Sequence, residues 1–185
     1  MKIDLKYELL GDKEFVAQVA KLNDKELDKA LRRTITQVNT TVRKSIKTEV
    51  RKHYTLKSNR IAKDTPRTIF RRNGTQANIS TKEKPITLRA YGGRMTRKGY
   101  SASPLRGQRQ VINRSFTITR QHTLPFMRLG KPAYPIKGAL KGPSLHRILT
   151  AGSRHKEIST AILETGDARF LKVLRKEVAT VLRGF

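Results

Sequence analysis

Carboxylates and histidines do the work in most hydrolases, nucleases and metal enzymes, and this chain places them poorly for that chemistry. It has 14 Asp and Glu, and between Asp64 and Glu157 the only acid is Glu83. A paired-carboxylate hydrolase or a multi-acid metal nuclease needs several acids converging on one cleft. Asp4, Asp24, Asp28, Glu157, Glu164 and Asp167 fall mostly at expected helix starts, where an acid caps the helix or complements its dipole. The histidines, His53, His122, His146 and His155, are scattered, with no HExxH and no pair on one helical turn. They read as surface or polar-edge residues rather than metal ligands. There is no Cys, which removes disulfides, thiolate catalysis and cysteine zinc sites. No GxSxG or Walker glycine loop occurs, and the glycines at 92, 93, 99 and 107 do not follow a βαβ pattern. The expectation is a protein with no enzymatic activity, no cofactor and no metal.

The chemistry this chain does offer is cationic. Its 185 residues hold 41 Lys and Arg, a formal charge of +27. Such a chain repels itself when compact, so an anionic partner should stabilise its final form. From Lys84 to Lys156 there are 16 Lys and Arg and no acid. The densest part is 92–110, GGRMTRKGYSASPLRGQRQ. Its large apolar groups are Met95, Tyr100 and Leu105, so it reads as a long loop or arm, ordered only on assembly. The candidate partner- or DNA-binding residues are Arg94, Arg97, Lys98, Arg106 and Arg109, with Arg89 at the root and Arg114 beyond. Guanidinium forks suit phosphate and carboxylate alike. Two readings stand side by side: the arm binds a nucleic-acid backbone without sequence readout, or it lies on an acidic protein surface.

The elements that must position these cations follow from periodicity. Ile3, Leu5, Tyr7 and Leu9 alternate with charge, as in a half-buried strand. Phe15, Val16, Val19 and Ala20 suit a short helix. Asn23 and Glu26 have capping-box spacing. Leu27, Leu31, Ile35, Val38, Val42, Ile46 and Val50 then mark one face of a helix about seven turns long. Thr55 would cap a short helix through Ile61, stopped at Thr65-Pro66. Residues 67–91 read as β, with a hairpin turn at Asn73-Gly74, strands over 76–81 and 85–90, and further β structure over 111–127. Ser144 or Pro143 opens a short helix through Leu149. Gly166-Asp167 is expected to cap a last helix with the stripe Phe170, Leu171, Leu174, Val178, Val181 and Leu182. The prediction is one α+β domain over 1–185. It has a small antiparallel sheet packed with a long N-terminal helix and a C-terminal helix, with the basic arm inserted in the sheet region. MKIDLK at the start has no apolar h-region, so no secretory leader is expected, and no window is apolar enough to span a membrane.

The order of features resembles the minor tail protein Z family of tailed phages and prophages. The resemblance rests on ALRRTITQVNTTVRKSI (30–46), RKHYTLKSNRIAK (51–63), ANISTKEKPITLRAYGG (77–93), the basic insertion, KPAYPIKGALKGPSL (131–145) and VLRKEVATVLRGF (173–185). It covers about residues 25–185 and lies in order and character. It implies a structural virion protein that completes the head-proximal end of the tail. Tail tube and tail terminator proteins would be its neighbours, in a homo-oligomeric ring with non-specific contact to DNA, and host cytoplasm would be the place of assembly. Segment 1–12 lies outside the resemblance and could clasp a neighbour by strand addition. The alternative from charge and size alone is a non-catalytic nucleic-acid-binding protein of the ribosomal type. Against it, the 11 Tyr and Phe fall in no RNP-type or helix-turn-helix pattern.

Overall fold

A computed structural model describes residues 13–65, 69–70, 77–79, 81–118, 122–128, 136–137 and 139–183. The elements are α1 (Lys13–Ala20), α2 (Asp24–His53), α3 (Ser58–Asp64), β1 (Ile69–Phe70), β2 (Ala77–Asn78) and β3 (Ile86–Thr87). A 3-10 turn (Leu88–Tyr91) follows, then β4 (Arg94–Thr96), β5 (Gly99–Ala102), β6 (Gln110–Asn113) and β7 (Ser115–Ile118). The chain continues with β8 (His122–Arg128), β9 (Ile136–Lys137), β10 (Lys141–Gly142), α4 (Leu145–Thr150) and α5 (His155–Arg183). The class is α+β, with a long N-terminal helix, a long C-terminal helix and small antiparallel sheets. No helix among the described residues is long and apolar enough to cross a membrane.

Where one domain is predicted, the chain divides into two compact units. Unit 1 comprises Met1–Ile46, Pro66–Ser80 and Ser159–Phe185; unit 2 comprises Lys47–Thr65 and Thr81–Ile158. Both long helices run through the division.

Unit 1 is built from helix faces. The predicted capping box forms: Asn23 N–H donates to Glu26 Oε2 at 3.0 Å, and Glu26 N–H donates to Asn23 Oδ1 at 3.0 Å. The predicted stripe of α2 holds from Val38 onward, where Val38, Val42 and Ile46 are buried. In the first turns the buried line is Ala30–Thr34–Val38 instead, and Leu27, Leu31 and Ile35 are half-buried. The α5 side contributes Ile162, Phe170, Val173, Leu174 and Val178. Gly166 corrects the sequence reading. It caps nothing and sits inside α5, where a Cβ would lie 3.3 Å from Val42 Cγ2, so the glycine permits a close helix–helix approach. The buried Glu177 accepts a hydrogen bond from Gln37 Nε2 at 2.7 Å and lies 3.7 Å from Arg33. Arg175 lies over the Phe15 ring at 5.9 Å, and β1 pairs antiparallel with β2.

Unit 2 holds the remaining sheets. β3 pairs with β10, β4–β5–β6 form one antiparallel sheet, and β7–β8–β9 form another, with Phe116 and Phe126 in register at 6.3 Å between ring centroids. The strand expected over 85–90 ends at Thr87, and Leu88–Tyr91 closes into a 3-10 turn stopped by Gly92 at φ 64°. Spacing of three puts Leu88 and Tyr91 on one side of that turn, and both are buried. Thr55 does not cap α3, whose N-cap is Lys57; its hydroxyl donates to Ser103 O and its N–H to Pro104 O. Ser144 caps α4 as expected, accepting from Arg147 N–H at 3.1 Å. The expected strand over 2–9, the Asn73-Gly74 turn and Ala133-Tyr134-Pro135 lie outside the described residues.

The stretch 92–110 is the main correction to the sequence reading, because its strands are folded. β5 lies between β4 and β6, and Gly99, Tyr100, Ser101 and Ala102 are all buried. Composition underestimates this segment because its buried residues are small or take their apolar neighbours from elsewhere. Ladders on both sides satisfy the β5 backbone, and the Tyr100 ring fills the space left by Gly93, where a Cβ would fall 2.4 Å from Tyr100 Cε1.

Candidate polyanion-binding surface

The three-stranded sheet β4–β5–β6 carries or adjoins all seven candidate cations, and all seven are exposed. Register fixes their positions. Arg94 pairs with Ser101, and Ser101 with Val111, so these three side chains share one face of the sheet. Thr96 pairs with Gly99, leaving Arg97-Lys98 as a two-residue hairpin loop with both charges at its tip. Gly99 pairs with Asn113, so Arg114 follows at that same end. Arg106 and Arg109 lie beyond the other end, between β5 and β6, and Arg89 lies on the 3-10 turn that precedes β4.

Local chemistry holds this arrangement in place. Gly99 has φ 137° and passes so close to β6 that a Cβ would fall 2.1 Å from Ile112 O, so only glycine fits. Arg114 adopts φ 58°, an unusual conformation for a non-glycine residue. The next residue, Ser115, locks that corner: its hydroxyl donates to Ile112 O and accepts from Tyr100 N–H at 2.6 Å. After β5 the chain is tied back to the end of α2 within unit 2. Arg106 N–H donates to His53 O at 2.9 Å, and Tyr54 bridges to Leu105. The Arg109 guanidinium donates to Ser101 Oγ at 3.2 Å and reaches Gly92 O at 3.5 Å.

The electrostatics of unit 2 are lopsided. By sequence it holds 23 Lys and Arg against four Asp and Glu, a formal +19. Each of the four acids already has an internal cationic or histidine neighbour. Glu49 pairs with Lys52 at 2.8 Å and Asp64 with Arg60 at 2.8 Å. Glu83 lies 3.7 Å from His146, and Glu157 lies 3.6 Å from His53 and 3.4 Å from Arg154. Among the described residues, none of the seven candidate cations forms an ion pair.

The buried phenols of unit 2 are held protonated at neutral pH. Burial pushes Tyr91 well above its ordinary value, helped by Tyr54, and its hydroxyl donates to Pro143 O at 2.6 Å. Burial also raises Tyr100, opposed by the Arg89 charge, and raises Tyr54, opposed by a hydrogen bond with Ser153. All three are buried residues of the unit 2 core. Among the described residues no group of three or more His, Cys, Asp or Glu could hold a metal ion.

Sequence reasoning named the cations but missed the residues that position them: Gly93, Gly99, Ser101 and Ser115. The available signal was the run Gly99-Tyr100-Ser101-Ala102, small residues around one aromatic between two cationic segments. Such a run fits a strand that other backbone approaches closely. Comparison with protein-family models, with curated proteins and with solved structures finds no match to this chain.

Proposed function

We propose that this chain is a non-catalytic structural virion protein that completes the head-proximal end of a phage tail as a homo-oligomeric ring. In this reading it binds tail tube and tail terminator subunits, and the basic surface of unit 2 is its docking face for a polyanion. The observation that carries the binding half is the +19 of unit 2, whose four acids each have a cationic or histidine neighbour within the unit. A surface with so much unbalanced charge is stabilised by an anionic partner. The tail position rests on the resemblance in feature order, and the α+β frame of two long helices with small sheets suits it. No catalytic constellation is needed for such a role.

Mass photometry of the nuclease-treated chain, alone and with candidate tail tube and terminator proteins at moderate salt, tests this. The expected result is a discrete ring or a stoichiometric complex that survives nuclease. A polydisperse species that falls to monomer once nucleic acid is removed overturns the tail reading in favour of a nucleic-acid-binding protein of the ribosomal type.

A further inference from the structure

One guanidinium binds a serine in the β4–β6 sheet, and a second arginine stands across the ladder from that serine. Arg94 is the cross-strand partner of Ser101, which puts their Cβ atoms about 5 Å apart on the same face. Arg109 reaches Ser101 from the far end of β6, donating to its hydroxyl at 3.2 Å and to Gly92 O at 3.5 Å. Both Arg109 acceptors are neutral, and among the described residues neither arginine has a carboxylate. Where two such cations lie near each other on one sheet, an anion bound between them relieves their repulsion. The serine lies on a buried strand, so the Arg109 fork is held in place before any ligand arrives.

We infer that Arg94, Ser101 and Arg109 form an anion clamp for a phosphodiester group, and that the sheet tracks a nucleic-acid backbone. A phosphodiester offers two free oxygens and one charge, which suits a pair of forked donors. The charge continues along the strand. Arg97 and Lys98 follow Arg94 at the hairpin tip, about 10 Å on at strand rise, roughly three base-pair steps of 3.4 Å along a duplex axis. The choice of nucleic acid over an acidic protein comes from what unit 2 lacks. A folded protein surface intersperses both signs of charge, and a face made to meet one needs acids to receive its Lys and Arg. The four acids of unit 2 all have internal neighbours, whereas a nucleic-acid backbone presents negative charge alone. This assignment rests on the polyanion-binding half of the proposed function and not on the tail position.

The test compares Arg94→Ser/Arg109→Ser with Lys25→Ser/Lys29→Ser, which removes the same charge from exposed positions in unit 1. The probes are a duplex of about 20 base pairs and poly-glutamate, each titrated across salt concentrations. The arginine pair is exposed, so its removal spares the core. Its loss should weaken duplex binding about 10- to 100-fold near 0.1 M salt and lower the log K against log salt slope by about 2. The lysine pair should change both much less. Equal losses from the two variants would mean that net charge alone binds, and the clamp would be refuted. Duplex binding left intact while poly-glutamate binding is lost would refute it in favour of an acidic protein partner. Ring or complex formation, followed in parallel, reports on the tail reading separately.

Discussion

The two units solve the same problem of charge in opposite ways. Unit 1 holds 18 Lys and Arg against ten Asp and Glu, a formal +8, and its buried Glu177 is held by Gln37 and Arg33. Unit 2 carries more than twice that excess, across helix ends, loops and short strands, and its core turns on Tyr54, Tyr91 and Tyr100 fitted against glycines and backbone. A long helix can spread cations around its solvent faces and offset them with acids one turn away, as Asp28 does for Arg32 at 2.8 Å. The β4–β6 sheet gathers its cations on one face, a tip and a corner. Net charge computed over the whole chain hides this difference, and the uneven part is the part that suggests a binding surface.

The strongest way to sharpen the contrast is to add one methyl group to a glycine of each unit. Gly99→Ala in unit 2 should cost about 3 kcal/mol or more, because the Cβ would meet Ile112 O at 2.1 Å at a backbone angle that alanine resists. Gly166→Ala in unit 1 should stay within about 1 kcal/mol of the parent. Its gain in helix propensity offsets a contact with Val42 Cγ2 that a small side-chain shift relieves. Urea unfolding of both variants measures this, and equal costs would break the distinction between the two ways of packing.

A smaller effect should appear at high pH. Burial holds the Tyr91 phenol above its ordinary value of 10.0, while in the unfolded chain it returns to that value. Above pH 10 the unfolded state therefore binds fewer protons than the folded one, and stability falls as pH rises, by up to about 1.4 kcal/mol per pH unit for this group. Below that pH the group contributes no slope. Tyr91→Phe should flatten the alkaline decline relative to the parent, read from unfolding midpoints between about pH 9 and 11. An unchanged slope would assign the decline to other groups.

The smallest effect belongs to unit 1. Thr34 on α2 is fully buried, and among the described residues its hydroxyl has no hydrogen-bond partner. Thr34→Val keeps the shape and removes the orphan, so it should stabilise by about 1 kcal/mol in the same unfolding assay. A loss of stability would show that the hydroxyl has a partner in solution.

Several features were legible in the sequence because they depend on neighbours in the chain. The capping box at Asn23 and Glu26, the length of α2, the Ser144 cap and the helical stripe from Val38 onward all follow from spacings of three and four. The identity of the candidate cations was legible too, since a stretch of 16 Lys and Arg without an acid is visible in composition alone. Composition failed where burial came from distant segments. The stretch 92–110 looked too polar to fold, yet β5 is enclosed by β4 and β6, and its tyrosine occupies the space left by Gly93. Gly166 looked like a cap because glycine often ends helices, and only the approach of Val42 accounts for it inside α5.

By itself, then, the sequence determined the charge excess, the long N-terminal helix, the presence of a C-terminal helix and the residue types available for binding, because these are set by composition and short-range periodicity. Only the tertiary structure decided that Arg94 stands across the ladder from Ser101 while Arg109 donates to its hydroxyl, that Arg97, Lys98 and Arg114 share one end of a sheet, and that every acid of unit 2 has a cationic or histidine neighbour. Those facts depend on strand register and on pairs far apart in the chain. A shift of register by one residue would move Arg94 to the opposite face of the sheet and dissolve the arrangement.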